Sequence, residues 1–185
     1  MRYNNDHQKL NTAKSGGFTL VELLIVVSFI AILASITVPN LISSRARASE
    51  AVIVQLLKTL NTGQQLLVSR GVLDLNKNAT AEYGFIGELA GIRPLRGVGE
   101  YLDPPSLNAS VGSIDPKGFG TKGGYVYRLY LPDASGVGVP ETAALLATVD
   151  PGLSESYFTV LAWPATYGSS GQRTFFMNQS GEIVS

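Results

Sequence analysis

The chain has 185 residues, and its 14 lysine and arginine residues are balanced by 14 aspartate and glutamate residues. This balance argues against a large electrostatic surface for nucleic acid. The sequence contains no cysteine, which excludes disulfides, cysteine nucleophiles and thiolate metal sites.

Residues 1–17 are predicted to form a polar, unstructured leader. The segment contains Asn4, Asn5, Gln8 and Asn11 and shows no apolar periodicity. It also holds the only histidine, His7. If the leader is removed, the remaining chain has no histidine for a Ser-His-Asp triad or a histidine metal site.

A long apolar segment follows the leader and is predicted to be a transmembrane helix. No ionisable side chain occurs from Leu23 to Ser44. At a rise of about 1.5 Å per residue, this stretch covers about 33 Å, enough for a bilayer core of about 30 Å. A segment that crosses lipid alone must be helical, because its backbone has to satisfy its own hydrogen bonds.

Two residues depart from what a simple membrane anchor needs. Glu22 places a carboxylate near the start of the helix, where it could lie among headgroups and interact with the positive end of the helix dipole. Pro39 removes one backbone hydrogen bond late in the span, or marks its exit from the membrane. An ordinary secretory signal fits less well, because the apolar run Leu20–Val38 is too long and is interrupted by Glu22.

The start of this helix resembles type IV prepilins and the pseudopilins of type II secretion. The match runs over Gly17-Phe18-Thr19-Leu20-Val21-Glu22-Leu23-Leu24 and extends to Pro39-Asn40. The resemblance implies that a prepilin peptidase cuts between Gly17 and Phe18 and that Phe18 is N-methylated. It also implies that Glu22 faces the Phe18 ammonium of a neighbouring subunit, and that Pro39 lets the helix loosen on assembly.

The resemblance further implies two successive locations for the subunit. The subunit would cross the bacterial inner membrane once, among lipids, and then enter a periplasmic or cell-surface filament of like or mixed pilin subunits. Its other partners would be the inner-membrane pilus or secretion machinery. A pseudopilin of type II secretion remains an alternative, as does a monomeric binding domain that the helix only tethers. The sequence leaves open whether the role is motility, adhesion, DNA uptake or export.

The helix is predicted to run from Phe18 to Arg70 and to end at Gly71. Residues 18–44 would form its membrane and polymerisation half, and residues 45–71 its amphipathic half. An apolar stripe at helical spacing marks the second half: Ile53, Leu56, Leu57, Leu60 and Leu67. A polar stripe marks another side: Gln55, Lys58, Thr62, Gln65 and Ser69.

Residues 72–185 are predicted to form a globular head of the α+β class. Residues 72–124 read as a connecting region rich in glycine and proline, with a short helix at Phe85–Ala90. Residues 125–185 show period-two patterns typical of an antiparallel sheet of about four strands, which would pack on the apolar stripe. The predicted strands are Tyr125–Leu131, Tyr157–Trp163, Arg173–Met177 and Glu182–Val184. The stretch Thr142–Val149 is ambiguous between helix and strand.

The sequence predicts no enzyme and no cofactor. Its glycine pairs at Gly118–Gly120 and Gly136–Gly138 are typical of turns rather than nucleotide loops. Asp133 and Asp150 could join a structural calcium site with backbone carbonyls, and the alternative is that both are ordinary turn residues.

Overall fold

The structure is a computed structural model that describes residues 17–185. Apart from Gly17, the predicted leader lies outside the described residues, as does His7. The chain divides into two compact units, Met1–Asn40 and Leu41–Ser185. Helix α1 covers Leu20–Arg70, which confirms the long N-terminal helix. It ends before Gly71, whose φ of 65° provides the left-handed residue that commonly terminates a helix.

The part of α1 in the first unit exposes its apolar side chains on every side. Its hydroxyl groups are satisfied within the helix: Ser28 donates to the Leu24 carbonyl at 2.8 Å, and Thr37 donates to the Leu33 carbonyl at 2.7 Å. Such back-bonding suits an environment without water. Within residues 17–185, α1 is the one helix that is long and apolar enough to cross a membrane, by length and composition.

The second unit contains three short helices and a turn of 3₁₀ helix. Helix α2 covers Ile86–Leu89 and confirms the short helix predicted at Phe85–Ala90. Helix α3 covers Ala109–Gly112, and α4 covers Pro151–Ser154. The ambiguous stretch Thr142–Val149 is a turn followed by the 3₁₀ helix Leu146–Thr148.

A six-stranded antiparallel sheet forms the rest of this unit. The strands are β1 (Gly120–Lys122), β2 (Tyr125–Pro132), β3 (Gly138–Pro140), β4 (Thr159–Pro164), β5 (Phe175–Asn178) and β6 (Ile183–Val184). Their order is β1-β2-β4-β5-β6, and β3 pairs with the end of β2. The four predicted strands correspond to β2, β4, β5 and β6. The sheet has two strands more than the four or so that were predicted, β1 and β3, which have three residues each.

The amphipathic half of α1 and the inner face of the sheet share one hydrophobic core. All five residues of the predicted apolar stripe are buried there, and the predicted polar stripe is exposed. The sheet contributes alternate residues of β2, chiefly Tyr125, Tyr127 and Leu129. Gly63 lets α1 approach the connecting region, since a Cβ at this position would lie 2.7 Å from Leu107 Cδ2. The α+β class and the packing of helix on sheet are therefore confirmed.

Adjacent leucines on α1 allow a matched test of this core. Leu67 is fully buried, whereas Leu66 is 43% exposed. We expect Leu67→Ala to lower the free energy of unfolding by about 2–5 kcal/mol, because it leaves a cavity. The same change at Leu66 should cost at most about 0.5 kcal/mol. Denaturant unfolding of the full chain in detergent, followed by fluorescence of the single tryptophan, measures both. Equal losses for the two variants would contradict this packing.

Candidate functional site

The predicted processing site lies in an open position before α1. Gly17 and Phe18 precede the helix, and the Phe18 side chain is 85% exposed. Among residues 17–185, a Cβ built on Gly17 would meet no other atom within 4 Å. No described residue therefore packs over Gly17.

Glu22 forms a capping box with Thr19 at the start of α1. Its Oε2 atom accepts a hydrogen bond from the Thr19 backbone N–H and another from the Thr19 hydroxyl, each at 2.9 Å. In return, the Glu22 backbone N–H donates to Thr19 Oγ1 at 3.2 Å. Two N–H groups at the helix start thus gain partners within the subunit. The sequence signal for this role, Thr-x-x-Glu before an apolar run, was not used in the prediction.

Pro39 lies inside α1 without ending it. Because proline has no backbone N–H, the carbonyl four residues earlier, that of Ser35, has no helical donor. The structure therefore brings Glu22 close to Thr19, next to Phe18, but places Pro39 some five turns of helix further along the chain.

From Val21 to Ile42, α1 carries a surface of large apolar side chains. Each of these residues is 47–65% exposed: Val21, Leu23, Leu24, Ile25, Val26, Val27, Phe29, Ile30, Ile32, Leu33, Ile36, Val38, Leu41 and Ile42. An apolar surface of this extent requires lipid or another protein to cover it. The segment thus combines an exposed Phe18, one carboxylate and a surface that needs a partner.

A second carboxylate on α1, Glu50, serves a different purpose within the second unit. Its Oε2 atom accepts hydrogen bonds from Arg173 Nε at 2.9 Å and from Arg173 Nη2 at 2.7 Å. Its Oε1 atom accepts one from the Gln172 backbone N–H at 3.1 Å. Burial raises the pKa of Glu50, but the bonds from Gln172 and Arg173 outweigh it and leave the pKa lowered. This contact ties α1 to the segment before β5.

Two further carboxyl groups are buried around α2. Glu88 accepts hydrogen bonds from the Phe85 and Arg96 backbone N–H groups at 2.7 and 2.8 Å, and burial raises its pKa. Glu141 accepts from the Gly87 N–H through both oxygens, at 3.1 and 3.2 Å, and lies 3.6 Å from Arg93 Nε. Perturbed buried acids can mark active sites. Here the carboxylates of Glu88 and Glu141 accept hydrogen bonds from backbone N–H groups of the connecting region, so they stabilise its fold.

The two aspartates considered for calcium bind the backbone of their own turns. Asp133 Oδ1 accepts hydrogen bonds from the Ser135 and Val137 N–H groups, each at 2.9 Å. Asp150 caps the start of α4 by accepting from the Leu153 N–H at 2.8 Å. Asp133 is thus a turn residue and Asp150 a helix cap, in line with the alternative that both are ordinary turn residues. In the part of the chain from Gly17 onward, no group of three or more His, Cys, Asp or Glu side chains is placed to share a metal ion.

Comparison with known proteins finds two named pilins. Over 41 residues, 22% of this chain and 31% of the relative, the chain is 54% identical to the type IV wide pilus major component PilA4 of Thermus thermophilus. Over 75 residues, 40% of this chain and 33% of the relative, it is 40% identical to the type IV major pilin protein PilA of Myxococcus xanthus. The chain thus covers about a third of the length of each relative. These similarities confirm the resemblance to type IV pilins.

The sheet has a separate match. Residues 117–185, which contain all six strands, match a family described as a protein of unknown function, DUF2950. No solved structure matches the chain significantly.

Glu141, which accepts hydrogen bonds from the Gly87 N–H, makes the stability of the fold depend on pH. Burial raises the pKa of Glu141 to about 7, so the folded state binds this proton more tightly than the unfolded state. The stability contributed by this proton is complete below the unfolded pKa of about 4 and is lost as pH rises through about 7, for a total change of about 3–4 kcal/mol. We expect the free energy of unfolding of Glu141→Gln to fall less than that of wild type as pH rises.

Denaturant unfolding of wild type and variant at about pH 5 and about pH 8 checks this, since that interval covers most of the titration. Glu88 also has a raised pKa, so the difference between wild type and variant is the quantity compared. A variant that loses as much stability over this interval as wild type would contradict the assignment to Glu141.

Proposed function

We propose that this chain is a structural subunit of a type IV pilus-like filament and that it polymerises through the first half of α1. The observation that carries the proposal is the apolar surface from Leu20 to Ile42, which has one carboxylate at its start. Helices that are apolar on all sides leave a bilayer only if they bury one another. The names of both relatives support a pilus rather than a secretion pseudopilus.

Processing comes first in this proposal. A prepilin peptidase removes residues 1–17 from the membrane-spanning precursor and N-methylates Phe18. The exposure of Phe18 supports this step, because none of the residues from Gly17 onward packs over Gly17. Cleavage creates an amine directly before the capping box.

Assembly then pairs Glu22 with the Phe18 ammonium of a neighbouring subunit. The capping box leaves room for this second partner, because both hydrogen bonds from Thr19 end on Oε2 and no other described residue bonds to Oε1. In the apolar interior of a filament, an unpaired carboxylate would be costly, so the pair would fix the register between subunits. Pro39, at the end of the first unit, is where we expect the helix to loosen during assembly.

The division of the chain follows from this role. Residues 18–44 act in the membrane and in the filament interior, residues 45–71 carry the head, and residues 72–185 form its exposed domain. The subunit's partners are its own copies or other pilins, the peptidase, and the inner-membrane assembly machinery. Its location changes from the inner membrane to the filament. The role is structural and uses no catalytic residue of this chain.

Substitution of Glu22 tests the proposal, with Thr19 as a matched control. Glu22→Leu removes the charge and the two hydrogen bonds that the carboxylate accepts from Thr19, whereas Thr19→Val removes the hydroxyl and its part of the capping box and keeps the charge. We expect Glu22→Leu to reduce sheared filaments at least about tenfold, because an unpaired amine remains in the apolar interior. Thr19→Val should keep most of them, since a lost cap costs only about 1 kcal/mol. Filaments are quantified against membrane-embedded protein in the same cells.

Mass spectrometry of the membrane fraction completes the test. Wild type and both variants should begin at methylated Phe18, so that any loss of filaments reflects assembly rather than processing. Wild-type protein that still begins at Met1 would contradict the proposed processing. Equal filament yields for Glu22→Leu and wild type would favour the tethered binding domain, and equal losses for both variants would reduce Glu22 to a cap.

A further inference from the structure

Two exposed arginines follow the apolar surface of α1. That surface begins at Val21 and ends at Ile42, which is still 47% exposed. Arg45 and Arg47 come next, and both are exposed. Neither forms an ion pair with any residue that the structure describes. Glu50 is the first acidic residue after them. Two positive charges therefore stand at the end of the apolar surface without a negative partner among the described residues.

The position of these arginines along α1 matches the headgroup layer of a membrane whose hydrocarbon covers the apolar surface. Arg45 and Arg47 are three and five residues past Ile42. At a rise of about 1.5 Å per residue, they lie about 4.5 and 7.5 Å beyond it. The headgroup layer on each side of a bilayer core is about 5–7 Å thick. The two guanidinium groups would therefore lie among lipid phosphates.

Glu50 holds a third arginine beside this part of the helix. Arg173, just before β5, donates to Glu50 Oε2 through Nε at 2.9 Å and through Nη2 at 2.7 Å. Its Cζ atom also lies 5.3 Å from the centre of the Phe175 ring. The Arg173 side chain is nevertheless 56% exposed, and no described residue accepts from its Nη1 group. The guanidinium is thus fixed in place with hydrogen-bond donors left over.

A groove of about 490 Å³ lies between α1 and the segment that carries Arg173. It is lined by Ser43, Ala46, Arg47, Glu50, Gln172 and Arg173. The helix residues share one face of α1, because they recur at spacings of three and four. The Glu50 side chain is only 10% exposed, and its two oxygens accept from Arg173 and from the Gln172 backbone N–H. Since Arg173 neutralises Glu50, Arg47 leaves the groove with a net positive charge.

We propose that this groove binds the headgroup of an anionic phospholipid while α1 is in the membrane. Arg47 and Arg173 donate to the phosphate oxygens, and Arg45 adds positive charge at the same depth. The planar guanidinium carries paired N–H groups that match the oxygens of a phosphate. A net positive site favours anionic lipid over zwitterionic lipid. The bound headgroup would fix the depth of α1 in the bilayer.

The occupant is a lipid rather than a soluble phosphate because the groove continues the apolar surface. Ser43, at one end of the groove, directly follows Ile42. A lipid whose phosphate lies between Arg47 and Arg173 can therefore lay its acyl chains along the apolar side chains of α1. This inference rests on the membrane stage of the proposed function and does not depend on assembly.

Lipid titration of the full-length protein in detergent tests the site, with native mass spectrometry to count bound lipids. Phosphatidylglycerol and phosphatidylcholine with the same acyl chains are compared. Each arginine near an anionic lipid surface contributes about 1 kcal/mol, which is about fivefold in affinity. With two arginines in the groove, we expect the first phosphatidylglycerol to bind about 25-fold more tightly than phosphatidylcholine.

Substitutions locate the binding. Arg47→Gln and Arg173→Gln should each lower this preference to about fivefold. Lys58→Gln is the matched control, because Lys58 is exposed on the same helix but lies sixteen residues past Ile42, about 24 Å along α1. It should keep the preference of wild type. The basic residues of the leader are present in every protein compared, so the difference between variants and wild type reports the groove.

Equal affinities of wild type for the two lipids would overturn this inference and leave the membrane stage intact. Binding of neither lipid would contradict the membrane stage as well. The inference also falls if Arg47→Gln keeps the preference of wild type. Arg47→Gln decides alone if Arg173→Gln fails to fold, since Arg173 also pairs with Glu50. Glycerol 3-phosphate has no acyl chains and should not displace phosphatidylglycerol at equal concentration; displacement would indicate a site for soluble anions instead.

Discussion

The central constraint is the apolar surface of α1 in the first unit, where large side chains have no protein cover within the described residues. Such a surface is unfavourable in water, so lipid or other helices must cover it. The hydroxyls of Ser28 and Thr37 are bonded to the helix backbone, which suits either environment. A carboxylate at the start of this surface is therefore the group whose partner matters most, and Glu22 has only half of its carboxylate engaged by Thr19.

The second half of the same helix obeys the opposite rule, because its apolar stripe is buried beneath the sheet. Glu50 strengthens this attachment through Arg173. The connecting region, in turn, is held by buried carboxylates, such as Glu141 on the Gly87 N–H. One helix thus has a half that folds with its own chain and a half that requires other molecules. Such a division is what a polymerising subunit with a folded head requires.

Elements whose pattern extends over several residues could be predicted, as could the short α2 and β6, whereas two of the short strands and the contacts between distant residues could not. The stripe through Leu60 and the alternation in β2 each extend over several residues, so their periods predicted both elements. Strands β1 and β3 are too short to show a period. The pairing of Glu50 with Arg173 spans 123 positions and leaves no local signal. The cap made by Thr19 had a signal in its spacing from Glu22, but that glutamate was interpreted only through headgroups, the helix dipole and assembly.

Electron cryomicroscopy of filaments sheared from cells that produce this chain tests the central claim most directly. The account predicts that residues 18–44 of many subunits pack together in the filament interior. It also predicts that the Phe18 nitrogen of one subunit lies within about 4 Å of the Glu22 carboxylate of another, the distance of an ion pair. Filaments in which Glu22 contacts only Thr19 of its own subunit, or in which α1 lies outside the interior, would contradict the account.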